Sequence, residues 1–83
     1  MMMSILEIRQ VLKYLHIECD LDDVNISGSV SNGFDVFCND QFVFRYVTIP
    51  RWVNDMTTVV KTIIYMKDDK LERVLLDDIL KKS

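Results

Sequence analysis

Between Val24 and Tyr46 apolar residues fall on every second position, and this period of two constrains the fold more than any other feature. Val24, Ile26, Gly28 and Val30 alternate with Asn25, Ser27, Ser29 and Ser31, the pattern of a strand with one buried face. Phe34, Val36 and Cys38 repeat it, and so do Phe42, Phe44 and Tyr46. Together they predict a three-stranded antiparallel meander with one strongly apolar face. Loop lengths follow from which faces must agree. A three-residue loop of Ser31, Asn32 and Gly33, with Gly33 left-handed, places Val30 opposite Phe34, Gly28 opposite Val36 and Ile26 opposite Cys38. At Asn39 and Asp40 a two-residue turn would send the three aromatics to the wrong face. A three-residue loop is therefore expected, pairing Cys38 with Phe42, Val36 with Phe44 and Phe34 with Tyr46.

Helical signals flank the meander. Ser4 and Glu7 form a capping box, and Ile5, Ile8, Leu12 and Leu15 follow at three- and four-residue spacing, predicting a helix over 4–16. After Pro50, the positions of Trp52, Met56, Val59, Val60, Ile63 and Ile64 fit a 3.6-residue period and predict a helix over 51–66. The β-branched run from 57 to 64 supports the alternative, a fourth strand over 59–66 that turns at Asp68 and Asp69. Asp69 and Glu72 look like a second capping pair before Leu71, Val74, Leu75 and Ile79, with Lys81 and Lys82 at the end. The expected fold is thus α+β, a single small domain over 1–83 in the order α-β-β-β-α-α.

Ten Lys and Arg against thirteen Asp and Glu give a net charge of −3. That is the wrong sign for a protein that holds nucleic acid through phosphate contacts. Cys19 and Cys38 are the two cysteines. They could form one bridge, but an intact apolar core does not need it; with no signal-peptide pattern at the start and no apolar run long enough to span a bilayer, they are expected to be buried thiols in the cytoplasm, away from membranes.

The residues offer little chemistry. His16 is the single histidine, and Cys19 lies three residues on. A partly charged imidazole at a helix C-terminus accounts for His16 without a catalytic pair. The two glycines make no phosphate loop, and one His with two separated Cys does not match zinc spacing. No enzymatic activity, cofactor or metal is expected. Two features instead suggest binding. Glu18, Asp20, Asp22 and Asp23 form an acidic loop suited to a basic protein surface. In the expected register Phe37, Val43, Arg45 and Val47 share the sheet face turned away from the helices, an apolar centre with a polar rim.

The α-β-β-β-α run resembles the double-stranded-RNA-binding domain. That family holds phosphates with basic residues at the start of its second helix. Residues 48–55 offer Arg51 alone, which argues against nucleic acid as the partner. With its third helix, small size and acidity, the chain also resembles small phage-encoded inhibitors of the anti-CRISPR kind. That resemblance implies a protein from a phage or mobile element that works in the host cytoplasm, blocking a host protein or nuclease complex by occlusion. The expected function is accordingly a non-enzymatic inhibitor or adaptor that binds a protein partner. The alternatives are a homodimeric structural or regulatory module and a nucleic-acid-binding domain.

Overall fold

The structure is a computed structural model that describes residues 3–29 and 31–81. Helix α1 (Ile5–Tyr14) begins as the capping box requires: the Ser4 N–H donates to Glu7 Oε1 at 2.9 Å and the Glu7 N–H to Ser4 Oγ at 3.2 Å. It ends in a Schellman motif. The Ile17 N–H donates to the Leu12 carbonyl at 2.9 Å, the His16 N–H to that of Lys13 at 3.1 Å, and His16 itself is left-handed at φ 59°. The role of His16 is therefore to end the helix.

Strands β1 (Val24–Ser29), β2 (Gly33–Cys38), β3 (Gln41–Val53), β4 (Met56–Lys67) and β5 (Lys70–Leu75) follow, then a short helix α2 (Leu76–Lys81). All pairs are antiparallel in the order β1-β2-β3-β4-β5. The expected α-β-β-β-α-α order with three strands is thus corrected to a five-stranded meander with two short helices. The helix expected over 51–66 is the end of β3, a turn and β4. The helix expected after Asp69 is β5, and only its last turns, from Leu76, are helical; Lys82, the expected end, lies outside the described residues.

The physical reason is twofold. Thr57, Thr58, Val59, Val60, Thr62, Ile63 and Ile64 are β-branched and fit a pleated surface better than a helix. The dipeptides Asn39-Asp40, Asn54-Asp55 and Asp68-Asp69 all have positive φ at both residues, between 51° and 65°. That is the conformation of the two-residue hairpin turn matched to strand twist, and Asn and Asp tolerate it best after glycine. Asp68 and Asp69 are therefore turn residues, and Asp69 caps no helix.

The Asn39-Asp40 turn has two residues, not the expected three, so Cys38 pairs with Gln41 and Phe37 with Phe42. A bulge then restores burial for two of the three aromatics: Val43 is the extra residue, and Val36 meets Phe44 and Phe34 meets Tyr46, as expected, whereas Phe42, expected on the same face, is turned to the other and is exposed. In the first hairpin the register differs by two residues from expectation. Gly28 pairs with Phe34, Ile26 with Val36 and Val24 with Cys38; Val30, expected opposite Phe34, lies outside the described residues. The shift is even, so each side chain keeps its face.

Both helices cover one face of the sheet. Met3, Ile8, Val11 and Leu12 meet Val36, Phe44, Tyr46 and Ile63 there, with Leu76 and Ile79 from α2. Burial pushes the phenol pKa of Tyr46 upward, with the Glu7 carboxylate adding to the rise. Tyr65, edge-on to Tyr14 at a ring-centroid distance of 6.3 Å, is raised chiefly by burial as well. A folded-state pKa above the unfolded value means stability that is complete below the unfolded phenol pKa of about 10 and falls as pH rises beyond it. Urea midpoints measured upward from neutrality should accordingly hold level until about pH 10 and then drop, with Tyr46→Phe flattening the drop.

The cysteines are not free. Cys19 and Cys38 form a disulfide with Cα atoms 6.3 Å apart, and no free cysteine remains. Pairing of β1 with β2 brings Cys38 to the end of the sheet where the chain leaves α1, and the Asn39 N–H donates to the Asp23 carbonyl at 3.1 Å beside it. The thiols expected from the sequence are thus a cross-link between the post-helix loop and the sheet.

Candidate functional site

Side chains on the sheet alternate between the helix-covered face and an open one. Register places Phe37, Phe42, Arg45, Val47, Ile49, Arg51 and Val53 of the central strands on the open face, opposite Met56, Val60, Thr62, Ile64, Met66, Leu71, Arg73 and Leu75. No helix packs there: the described core lies wholly on the other side.

Beyond Val47 and Thr62 the central hairpin runs on alone. Residues 48–53 and 56–61 pair only with each other, because β2 reaches only to the level of Tyr46 and β5 only to that of Thr62. This arm contributes to a molecule 42 Å long and 26 Å in each other direction. Its apolar residues are wet: Trp52 is 78% and Met56 68% exposed. An arm that spends Trp and Met on solvent gains nothing for its own fold.

Of the expected contact residues, three lie on the open face. Phe37 is half-buried and stacks edge-on against Phe42, with centroids 6.0 Å apart. Arg45 grips Asp35 with both ends of its guanidinium, Nε to Oδ1 at 2.7 Å and Nη2 to Oδ2 at 3.3 Å. This hydrogen bond, ahead of the charge itself, holds the Asp35 carboxyl below its usual pKa. Val47 packs over Gly33, whose φ is 91° and where a Cβ would come within 2.7 Å of Val47 Cγ1. Val43 is the correction: the bulge turns it to the helix side, where it meets the core and lines a hollow with Tyr14, Leu15, Ile17 and Tyr65.

The acidic residues Glu18, Asp20, Asp22 and Asp23 are all exposed, the last two in a 3-10 turn (Leu21–Asp23). The loop holding Glu18 and Asp20 borders a shallow depression of about 540 Å³ with Arg9, Lys13 and His16 of the α1 end. That depression lies beside α1, while Asp22 and Asp23 stand at the start of β1, next to the strand end that carries Phe37. Among the described residues no group of three His, Cys, Asp or Glu is placed to hold a metal ion, and no helix is long and apolar enough to cross a membrane.

Most of the open face is not visible in the helical periods of the sequence: Ile49, Val53, Met56, Leu71, Arg73 and Leu75 fall in the expected helices or in the break after the meander, and the signal that reveals them is the turn chemistry of Asn54-Asp55 and Asp68-Asp69.

The Asp35–Arg45 pair is exposed, so solvent screening keeps its contribution small. Its sign is that of a lowered carboxylate: the contribution is present above the unfolded pKa of about 3.9 and lost as pH falls below it. Asp35→Asn should abolish that acid limb and leave the urea midpoint at neutral pH nearly unchanged.

No protein-family model matches the chain, and no curated protein or solved structure matches it either.

Proposed function

We propose that the protein is a non-enzymatic binding module that covers a partner protein with the open face of its sheet and the arm that extends it. One observation carries this reading: a five-stranded sheet leaves a whole face without helical cover and displays Phe42, Val53, Met56, Met66, Leu71 and Leu75 on it, all exposed. These side chains, grouped mostly at the tip of the arm and at the Met66–Leu71 end, are exposed apolar surface of the kind that marks a protein contact.

Occlusion of the partner's surface is the proposed mode of action, as inhibitor or adaptor. The phage-inhibitor resemblance leaned on an α-β-β-β-α-α order that this fold does not have, so the proposal stands on the docking surface alone. Charge on that surface favours a different partner from the one expected. Arg45 is neutralised by Asp35, whereas Arg51 and Arg73 have no ion-pair partner among the described residues. A face with surplus cations suits a partner with carboxylates, and it sets two copies stacked face to face against each other. The homodimer therefore ranks second. A cytoplasmic setting loses the ground it had in free thiols, since a disulfide persists chiefly in oxidising compartments. Alkylation and mass measurement of the protein taken from its own cells decide that point.

The test is affinity capture from a lysate of the source cells with wild type and with Phe42→Asp combined with Leu71→Asp. Both positions are exposed, so the fold should survive. Proteins recovered by wild type should be lost from the variant, and equal recovery by both would defeat the proposal. Light scattering over a concentration series identifies self-association, the second reading.

A further inference from the structure

We propose that the depression between Arg51 and Arg73 receives a carboxylate from an extended acidic segment of the partner, and that this segment pairs as a strand with the free edge of β4. The inference deepens the docking surface proposed above and rests on it.

The edge comes first. β5 pairs with β4 only over 62–67, so residues 56–61 have a neighbour on one side alone. The two-residue turn at Asn54-Asp55 makes Val53–Met56 a hydrogen-bonded pair, and by alternation Arg51–Thr58 and Ile49–Val60 are hydrogen-bonded too. Thr57 and Val59 therefore aim their backbone N–H and C=O groups outward, into the lane that β5 vacates, as does the N–H of Lys61. On the opposite edge of the arm the outward position is held by Pro50, which has no N–H. Proline there leaves the β3–β4 ladder whole and blocks strand addition. One edge of the arm is closed by its sequence and the other is open.

A polar site lies where that lane begins. Ile49, Arg51, Thr62, Arg73, Val74 and Leu75 line a depression of about 190 Å³ at the end of β5. Two guanidinium groups border it without a carboxylate of their own among the described residues. Thr62, only 5% exposed, forms part of its floor. Two like charges lining one hollow suit a small anion, and the forked donors of arginine suit a carboxylate. Ile49 and Leu75 flank the site with apolar walls that fit neighbouring side chains of a strand and have no use for a phosphate backbone. Main-chain pairing would supply affinity and the two arginines specificity.

Random seven-residue peptides selected on the immobilised protein provide the probe. The winners should carry Asp or Glu beside β-branched or apolar residues. Bound winners should slow hydrogen exchange at the Thr57, Val59 and Lys61 amides. Affinity should fall at least about tenfold in Arg51→Glu and in Arg73→Glu, and with rising salt. Val59→Pro removes an outward N–H without touching the β3–β4 ladder, and it should abolish binding while circular dichroism stays unchanged. Winners without carboxylates, binding indifferent to both arginine reversals, absence of protection along β4, or preference for a single-stranded oligonucleotide over the peptides would each overturn the inference. If captured partners are lost in the Phe42→Asp, Leu71→Asp variant yet retained by Val59→Pro and both arginine variants, the open face stands and this inference alone fails.

Discussion

Replacing Phe44 with alanine should lower the free energy of unfolding by about 3–5 kcal/mol, whereas Phe42→Ala, two positions away, should cost under about 1 kcal/mol. Phe44 is fully buried between α1 and the central strands, and Phe42 is 45% exposed on the opposite face. The difference arises from Val43. A strand in regular alternation would place positions 42 and 44 on one face, and the two truncations would then be similarly damaging. With the bulge, only Phe44 leaves a core cavity. A domain of this size has a total stability of order 5–10 kcal/mol, so Phe44→Ala should lower the urea midpoint by at least about a third. Equal losses at the two positions would contradict the bulged register.

Breaking the Cys19–Cys38 bridge should cost about 3 kcal/mol. The bridge joins residues 19 apart, and closing a loop of that length in the unfolded chain removes roughly this much conformational freedom on the entropic account. The post-helix loop has few other anchors. The Asn39 N–H to the Asp23 carbonyl and the half-buried Ile17 and Leu21 hold it to the rest of the molecule. Cys19→Ser with Cys38→Ser should lower the thermal midpoint substantially. A reductant should do the same to wild type and nothing further to the variant. If reduction leaves the midpoint of wild type in place, the bridge contributes no stability. Because the loop lies beside α1, partner capture through the open face should survive reduction at temperatures where the protein stays folded.

Both predictions touch places where local pattern and tertiary demand differ. Of Phe42, Phe44 and Tyr46, all expected to be buried together, Phe44 and Tyr46 are and Phe42 is not, because a two-residue turn plus a bulge replaces the longer loop. Asn39 and Asp40 carry no glycine, and their shared left-handed conformation is affordable because short polar side chains tolerate it. The stretch from 51 to 66 is ambiguous for a different reason. Trp52, Met56, Val59, Val60, Ile63 and Ile64 fall on one stripe of a helix and on both faces of a strand. In the arm both faces are wet, so no burial pattern remains there to separate the two periods.

The candidate site was legible only in part. Phe37, Arg45 and Val47 could be assigned to the outer face because three alternating strands define two faces. Arg51, Thr62 and Arg73 could not, because they come together only when β3, β4 and β5 align in register.

By itself the sequence determined the capped first helix, the strands from Val24 to Tyr46 and the burial of Phe44, since each depends on residues near one another in the chain: a capping pair, a period of two, a turn. The extra strands were also marked locally, by the β-branched run and the Asn54-Asp55 and Asp68-Asp69 turns, because each lane of the meander is filled by the next segment of the chain. Tertiary structure alone decided the disulfide, the bulge at Val43 and the uncovered face. The bridge joins residues 19 apart, and the covered face is set by where α1 and α2 pack, so neither is visible in a short window of sequence.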